Sequence, residues 1–295
     1  MSEFDPSLVE SLREDLGEVT EATIARALDA ARVLALRWGV DLEGWLPGGT
    51  CSLVLTGRRD EREVVVRAPL LPWEIGASLP ALRAFSGNGG VEVLRFDEST
   101  GTTLLPRLRP GDDLSLVEEE SAIGLFADLV RRLHRAEGTA PSVASYLRPV
   151  LDGELAVTAA QMRTDPVALA YRLLESSPPP RLLHGDAHHF NILLHGSAWV
   201  AIDPEGVSGD PAYECAAFLR NPIPQIGADP DLVATLYRRI VRLAELLDHS
   251  PERIWGWGLV RTAQCVDDPT ADPDHPWVRV LEALDELSEE FGRRI

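Results

Sequence analysis

One short segment of the chain combines the residue types that phosphoryl transfer requires. It runs from His184 to Asn191 as HGDAHHFN, and Asp203 follows twelve residues after the Asn. Phosphoryl transfer needs a carboxylate that orients the attacking hydroxyl, and oxygen ligands that hold the metal-bound nucleotide phosphates. Asp186 can supply the carboxylate, and Asn191 and Asp203 can bind the metal. The order and spacing match a kinase catalytic loop, so the segment predicts a phosphoryl-transfer site with ATP and Mg²⁺ as cofactors.

The residues between Asn191 and Asp203 must bring these two side chains together. Two short apolar runs, residues 192–194 and 199–202, flank a polar turn that contains Gly196. Short apolar runs around a glycine-containing turn are typical of a β-hairpin. A hairpin would return the chain so that Asn191 lies beside Asp203.

The same residues allow two other interpretations. Asp, Asn and His side chains often cap turns by bonding to nearby backbone groups, although that role would not require the observed spacing. The adjacent His188 and His189 could bind zinc together with His184 or Asp186, but no Cys or Glu follows at a zinc-site spacing. We expect one of the histidines to hold the loop by hydrogen bonds.

The loop and its continuation are similar to a known enzyme family. The order HGDxHxxN resembles the catalytic loop of the aminoglycoside phosphotransferases, and the continuation through Ile202-Asp203-Pro204 and Gly209-Asp210-Pro211-Ala212 is most similar to the streptomycin 6-kinase and hydroxyurea phosphotransferase family. The resemblance implies an α+β, bilobal, protein-kinase-like fold. A small β-rich N-lobe with an N-terminal helical extension would cover residues 1–108, and a larger, mostly helical C-lobe would cover residues 109–295.

The upstream segments resemble the nucleotide-binding part of this family. Residues 48–54 would form the glycine turn and second strand of a hairpin over the nucleotide, with Ser52 facing it. Residues 91–96 and 102–105 are expected to be two further strands. Residues 107–114 resemble the hinge between the lobes. The adjoining backbone would contact adenine, at Leu105 and Leu108.

Two positions depart from the family pattern. Arg67, on a short β-branched run, stands where the phosphate-binding lysine is expected, and all 28 basic residues of the chain are arginines. Arginine can hold phosphate through two parallel hydrogen bonds, but it is planar and bulkier than lysine. Ser78 stands where a helix over residues 72–85 should carry the glutamate that pairs with this cation. Glu74 lies one turn earlier and could pair with Arg67 or lie in solvent.

Several residues beyond the core motif are candidates for substrate contact or support, namely His184, His188, Glu205, Asp210 and Glu214. Glu205 stands where the family carries a basic or neutral residue. Asp210 and Glu214 could line a substrate site if the C-terminal helices fold over the cleft, as could the acidic cluster Asp267, Asp268, Asp272 and Asp274. Alternatively, Asp210 would bond to the catalytic loop from a turn, and the later cluster would be a solvated loop.

Composition restricts the partners and the compartment. The formal net charge of −19 argues against nucleic acid or an anionic membrane as a partner. It would attract a cationic, amino-containing small molecule, or it would serve solubility alone. The sequence has no apolar stretch long enough to span a bilayer and has an acidic N-terminus, which predicts a cytoplasmic protein. Cys51, Cys215 and Cys265 are expected to be reduced thiols.

Helical periodicity predicts the remaining elements. Helices are expected over residues 20–38, 115–137, 213–220, 231–247, 251–266 and 276–293. Trp255, Trp257 and Trp277 are expected to pack in the core and not to stack on a ligand.

Together these features predict an ATP- and Mg²⁺-dependent phosphotransferase that acts on a hydroxyl of a small molecule, with an aminoglycoside such as streptomycin as the first choice. A kinase of another small metabolite stays open. So does a nucleotide-binding pseudokinase, because of Arg67. Pro106 at the hinge leaves ATP and GTP both open, and the sequence carries no prediction of oligomeric state.

Overall fold

A five-stranded antiparallel sheet forms the N-terminal part of the computed structural model, which describes residues 21–46, 52–70, 73–152, 162–223, 225–266 and 275–292. The spatial order of the strands is β1-β2-β3-β5-β4. They are β1 (Asp41–Trp45), β2 (Ser52–Arg59), β3 (Arg62–Pro69), β4 (Arg95–Phe96) and β5 (Thr103–Pro106). The glycine turn expected before Ser52 lies outside the described residues.

The valine run of β3 packs on both faces of this sheet. Val64 and Val66 lie in a core with the helix Glu21–Trp38, whereas Val65 packs on the other face with Leu82 and Leu105. Successive side chains of a strand point to opposite faces. Arg67, two residues after Val65, therefore faces the same side as Val65, towards the rest of the molecule.

The strand predicted over residues 91–96 forms only at its end, as β4. The backbone before it bonds to a different sheet: Ala201 N donates to Gly89 O (2.8 Å), and Val91 N donates to Ala201 O (2.9 Å). Because backbone donors and acceptors must be satisfied somewhere, this segment joins the N-terminal sheet to the strand that holds Ala201.

Two small sheets follow. The first contains β6 (Pro110–Asp113), β8 (Ile192–His195) and β9 (Ala198–Ala201), and the second contains β7 (Arg181–Leu183) and β10 (Val207–Gly209). β8 pairs antiparallel with β9, from Ile192 opposite Ala201 to His195 opposite Ala198. The predicted hairpin is confirmed.

Helices make up most of the C-terminal part. The predicted helix at residues 251–266 is confirmed as Pro251–Val266, and its Trp255 and Trp257 are fully buried. The helices predicted over residues 20–38 and 231–247 are also confirmed, as Glu21–Trp38 and Leu232–Leu247. Three other predicted helices divide. The one expected over residues 115–137 is a 3₁₀ turn, Leu114–Leu116, followed by a helix that starts where the Glu118 carboxylate accepts backbone N–H bonds. The helices are Glu119–Leu133, Val143–Tyr146, Arg148–Leu151, Pro166–Glu175, Cys215–Leu219, Gln225–Ala228, Leu232–Leu247, Pro251–Val266, Pro276–Glu286 and Ser288–Phe291.

Two further findings concern the helices and the cysteines. Among the helices in the described ranges, none combines the length and the apolar character needed to cross a bilayer. Cys215 and Cys265 are free thiols, and Cys51 lies outside the described residues.

Gly206 is where the helix Trp73–Phe85 meets the segment after Asp203. Its φ angle is +76°, and a Cβ atom there would lie 2.5 Å from the Ala77 carbonyl oxygen and 2.7 Å from Ala81 Cβ. The Gly206 N–H donates to His184 O (3.1 Å). Close approach of this helix to the catalytic segment therefore requires a residue without a side chain.

We expect Gly206→Ala to lower the free energy of unfolding by about 2–4 kcal/mol, from the clash with the helix and from the strained φ angle. Gly196→Ala is the matched control, because Gly196 also has a positive φ angle (+60°) but no atom within 4 Å of its Cβ position. The control should cost only about 1–2 kcal/mol. Urea unfolding of both variants measures the difference, and equal losses would contradict the packing argument.

Candidate active site

A cavity of about 840 Å³ separates the N-terminal sheet from the β8–β9 hairpin. Its walls are largely apolar on the sheet side and carry polar side chains at the catalytic loop. The apolar wall contains Val54, Val65, Leu82, Val91, Leu105, Leu108, Leu193 and Ile202, and Ser52 and Ser78 also line the cavity. Leu105 and Leu108, together with residues 106–111, form one edge. A slot with apolar faces suits a planar aromatic ring.

Asp186 lines this cavity. Its Oδ1 accepts a hydrogen bond from Arg220 Nη2 (3.2 Å). Its Oδ2 accepts one from Asn191 Nδ2 (3.3 Å) and lies 3.4 Å from His188 Nε2. Burial alone would raise the pKa of Asp186, but His188 and the charges of Arg220 and Arg261 hold that pKa below its ordinary value. Asp186 is therefore an ionised carboxylate at neutral pH.

Asn191 and Asp203 lie side by side, as the hairpin predicted. Ile202 N donates to Asn191 O (2.9 Å), which brings Asp203 next to the Asn. Asn191 Nδ2 donates to the Asp186 backbone oxygen (3.0 Å), so the amide oxygen points away from Asp186. A carboxylate and an amide oxygen at one place form the hard donor set that Mg²⁺ prefers.

Arg67 forms an ion pair with Asp203: Nη2 donates to Oδ1. Its guanidinium therefore reaches across the cavity from β3 to the residue after the hairpin. The side chain of Glu74 lies outside the described residues, so its expected pairing with Arg67 stays a prediction. Ser78 is buried.

His184 links the loop to the residue before Asp203. Its Nε2 is 2.9 Å from Ile202 O, and its Nδ1 accepts from Asp186 N (3.3 Å). These two contacts require the tautomer with the proton on Nε2. Burial lowers the pKa of His184, so the ring is neutral and holds the loop by hydrogen bonds.

The two adjacent histidines face different surroundings. His188 lines the cavity, and its Nδ1 accepts from Phe190 N (3.2 Å). His189 is buried and stacks on Phe218, with ring centroids 4.3 Å apart. Burial and the charge of Arg239 lower the pKa of His189 to about 2. The zinc site that would use both rings is therefore excluded by their geometry.

Glu214 holds the loop, whereas Asp210 bonds to the helix Pro251–Val266. Glu214 accepts hydrogen bonds from His184 N (2.8 Å) and Gly185 N (2.9 Å). Asp210 accepts from Trp257 Nε1 (2.7 Å) and Arg253 Nε (2.7 Å). Both carboxylates are buried, at 0% and 2% exposure. The expectation that they line a substrate site is wrong for these two, because their oxygens face protein donors. The later acidic cluster, residues 267–274, lies outside the described residues.

Glu205 belongs to a network that the sequence did not predict. Tyr146 Oη donates to Glu205 Oε1 (2.6 Å), and Arg261 Nη2 donates to the same oxygen (3.2 Å). Burial raises the pKa of Glu205, and Arg261 opposes that shift. Tyr146 and Arg261 are 59 and 56 residues from Glu205 along the chain. No local sequence signal connects them, because their contact depends on how the helices pack.

A second cavity of about 370 Å³ opens beside Asp186. Trp277 lines it as well as the larger cavity, so the expectation that this tryptophan packs in the core is wrong. Trp277 Nε1 donates to Arg220 O (3.0 Å). The second cavity is lined by Tyr146, Asp186, His188, Glu205, Arg220, Asn221, Arg261, Gln264, Cys265 and Trp277.

Comparisons with known proteins agree on one family. The family model described as "Aminoglycoside/hydroxyurea antibiotic resistance kinase" matches residues 37–266. Streptomycin 6-kinase of Streptomyces glaucescens is 31% identical over 297 residues, which cover 96% of this chain and 97% of that protein. Hydroxyurea phosphotransferase of Kitasatospora aureofaciens is 36% identical over 199 residues, which cover 63% of this chain and 58% of that protein.

Solved structures agree on the fold. A thermostable mutant of aminoglycoside phosphotransferase APH(4)-Ia, in ternary complex with ADP and hygromycin B, superposes with a TM-score of 0.58 at 19% identity. That match covers 88% of this chain and 98% of the other. LicA, a choline kinase of Streptococcus pneumoniae, superposes in its AMP complex with a TM-score of 0.61 at 12% identity, over 90% and 99% of the two chains. At these identities the likeness shows the fold alone: the predicted bilobal, protein-kinase-like α+β fold is confirmed.

We expect Glu214→Gln to lower the free energy of unfolding by about 2–4 kcal/mol at pH 7, because a buried charge-assisted acceptor of two backbone N–H groups is lost. Glu245→Gln is the control, since the Glu245 side chain is 58% exposed, and it should change stability by less than about 0.5 kcal/mol. Urea unfolding measures both. A loss no larger than the control's would show that the carboxylate does not hold the loop.

The same variant should alter the response to acid. Contacts with His134 and Gly185 outweigh burial and hold the pKa of Glu214 below its ordinary 4.5. A depressed pKa contributes stability that is present above pH 4.5 and lost as pH falls through the folded-state value. Wild type should therefore lose up to about 1.4 kcal/mol more per pH unit below 4.5 than Glu214→Gln. Parallel pH curves of the two proteins would contradict this expectation.

Proposed function

The chain belongs to the aminoglycoside/hydroxyurea antibiotic resistance kinase family and is therefore a small-molecule phosphotransferase; from that premise we propose that it transfers the γ-phosphoryl group of ATP to a substrate hydroxyl in a Mg²⁺-dependent reaction. The observation that carries the proposal is that Asp186, Asn191 and Asp203 line the same cavity. In a phosphotransferase these three groups have complementary tasks.

Asp186 is the proposed catalytic residue. Its ionised carboxylate would accept a hydrogen bond from the substrate hydroxyl and orient the oxygen for in-line attack on the γ-phosphorus. The new bond joins the hydroxyl oxygen to phosphorus, and the bond from that phosphorus to the β–γ bridging oxygen breaks. ADP leaves, and the hydroxyl proton passes towards Asp186.

The nucleotide would occupy the larger cavity. Its adenine fits the apolar slot beside Leu105 and Leu108, with Ser52 on the covering strand, and the phosphates would extend towards Arg67. Adenine nucleotides in the complexes of APH(4)-Ia and LicA support ATP as the donor. Asn191 and Asp203 would hold Mg²⁺, which supplies charge neutralisation at the phosphate oxygens. His184 and Glu214 would act only by keeping the loop in place, and Asp210 only by holding the helix Pro251–Val266.

An aminoglycoside such as streptomycin is the acceptor class that the names of the relatives support. The formal net charge of −19 is consistent with a cationic acceptor that is attracted over long distances. The same proposal includes an antibiotic-resistance role in the cytoplasm. It also divides the chain into an N-lobe that ends at residue 108 and a C-lobe that begins at residue 109.

A kinase of a different small metabolite is a second candidate. The observation that favours it is the lining of the smaller cavity, where two buried arginines lie beside Asp186. A cationic acceptor would be placed next to like charges there. Both candidates use the same nucleotide site and differ only in the acceptor.

We expect Asp186→Asn to lower kcat by about 10²- to 10⁴-fold with little change in ATP affinity, because the carboxylate meets the acceptor and not the adenine. ADP release from Mg-ATP, measured with streptomycin, other aminoglycosides, hydroxyurea, choline and hydroxy sugars, gives the rates, and isothermal titration gives the nucleotide Kd. The matched control is Asp128→Asn on an exposed helix face, which should retain full activity.

Retained turnover in Asp186→Asn would show that the assignment of the catalytic carboxylate is wrong. Nucleotide binding without turnover of any acceptor would favour the pseudokinase alternative that Arg67 raises. Loss of nucleotide binding on removing Mg²⁺ or on Asp203→Asn would support the proposed metal ligands.

A further inference from the structure

The smaller cavity continues from the larger one at Asp186. The residues that line both are Asp186, His188, Glu205, Asn221 and Trp277. A molecule in the smaller cavity would thus have direct access to the proposed catalytic carboxylate. The residues that line only the smaller cavity determine which chemical groups fit there, and two of them are arginines.

Arg220 is almost completely buried, at 3% exposure. Its Nη2 donates to Asp186 Oδ1, while Nε and Nη1 are buried and have no hydrogen-bond partner among the described residues. Its guanidinium lies 5.4 Å from the ring centre of Trp277, and its backbone oxygen accepts from the same indole. Unsatisfied buried N–H groups are costly and rare in native proteins, so these donors favour a partner that accepts hydrogen bonds.

Arg261 is a second buried arginine that packs on an aromatic ring. It is also 3% exposed, and its guanidinium lies 4.7 Å from the ring centre of Tyr146. Nη1 donates to Gln264 Oε1 (2.6 Å) and Nη2 donates to Glu205, whereas Nε is buried without a partner in the described part of the chain. Packing on the aromatic ring holds the guanidinium in a fixed orientation.

The carboxylates of the cavity are already engaged by protein donors. Asp186 accepts from Arg220 and Asn191, and Glu205 accepts from Tyr146 and Arg261. A cationic ligand would need acceptors of this kind and would instead meet two buried guanidinium groups. The groups left without partners are N–H donors, so the lining favours a ligand that brings oxygen acceptors.

We propose that the smaller cavity binds the acceptor through a carboxylate or amide carbonyl oxygen held by Arg220 and Arg261, close to the hydroxyl that Asp186 orients. This inference rests on the proposed phosphotransferase function and favours its second candidate, a kinase of a different small metabolite, with hydroxy acids and hydroxy amides as the acceptor class. Arg220 and Arg261 are then specificity-determining residues, because both arginines exclude an amine at this end of the molecule.

The negative charge of the whole protein does not oppose this assignment. Exposed charges are screened over about 8 Å at physiological ionic strength, whereas buried groups interact with little screening. A carboxylate in the cavity would therefore interact mainly with Arg220 and Arg261. The overall charge of −19 affects the approach of a ligand more than its binding in the cavity.

A set of four sugars that differ only at C6 tests the inference. D-glucuronate carries a carboxylate there, D-glucuronamide a neutral carbonyl, D-glucose a hydroxymethyl group, and 6-amino-6-deoxy-D-glucose an ammonium group. Isothermal titration gives the Kd of each with the free protein and with the Mg-ADP complex. We expect glucuronate, glucuronamide or both to bind at least tenfold more tightly than glucose, and the amino sugar to bind most weakly. The first two compounds distinguish a carboxylate from a carbonyl ligand.

Each arginine is replaced by glutamine, and the added Glu205→Gln change keeps the Glu205 carboxylate from losing its Arg261 partner. In Arg220→Gln, Asp186 keeps its hydrogen bond from Asn191. Arg261→Gln combined with Glu205→Gln should abolish the preference over glucose, and Arg220→Gln alone should reduce it at least fivefold. Arg242→Gln is the control, because Arg242 is 46% exposed, and it should keep the full preference. Thermal unfolding verifies that each variant is folded. If the double variant is unfolded, the loss of preference in Arg220→Gln tests the inference alone.

Tightest binding of the amino sugar, equal binding of all four sugars, or no binding of any would overturn the inference. The same holds if streptomycin is phosphorylated at rates that Arg220→Gln and the double variant leave unchanged. In that last case the phosphotransferase function stands and only the acceptor class fails. Absence of ATP binding would instead refute the proposed function, while sugar binding to the free protein would still decide this inference.

Discussion

The catalytic loop depends on hydrogen bonds from its backbone to a carboxylate that has no access to solvent. Glu214 accepts from the N–H groups of His184 and Gly185, directly before Asp186. A charged acceptor bonds to backbone amides about twice as strongly as a neutral one, and its burial makes the loss of either partner expensive. Asp186 can therefore face the cavity with a fixed orientation, because the chain on its N-terminal side cannot shift.

The cleft depends on contacts that join the two parts of the molecule. The backbone around Gly89 and Val91 bonds to Ala201 of the catalytic hairpin. Gly206 allows the helix Trp73–Phe85 to approach the segment after Asp203, and Arg67 reaches Asp203 from β3. These contacts all lie within a few residues of the proposed metal ligands. In the proposed reaction, nucleotide binding between the two parts would thus be coupled to the geometry of the proposed metal ligands.

The absence of lysine from the sequence has a structural consequence. Every cation in the site is an arginine, including Arg67, Arg220 and Arg261. A guanidinium offers five donors in a plane and packs on aromatic rings, so it can bind one carboxylate and keep further N–H groups for a ligand. A lysine ammonium has neither the planar fork nor the stacking face. The smaller cavity contains both features, since Arg220 packs against Trp277 and Arg261 against Tyr146.

The sequence alone determined what depends on near neighbours in the chain. The spacing of Asp186, Asn191 and Asp203, the hairpin between them, and the helix Pro251–Val266 all follow from local patterns, because side-chain periodicity and turn chemistry act over a few residues. Only the tertiary structure decided what depends on distant partners. Residues 91–94 do not form the first part of the predicted strand, and Asp210 and Glu214 are buried. Trp277 lines the cavity, and two arginines lie beside Asp186. Those outcomes depend on which helix packs against which loop, and hydrogen bonds between residues 34 to 59 positions apart leave no periodic signal in the sequence.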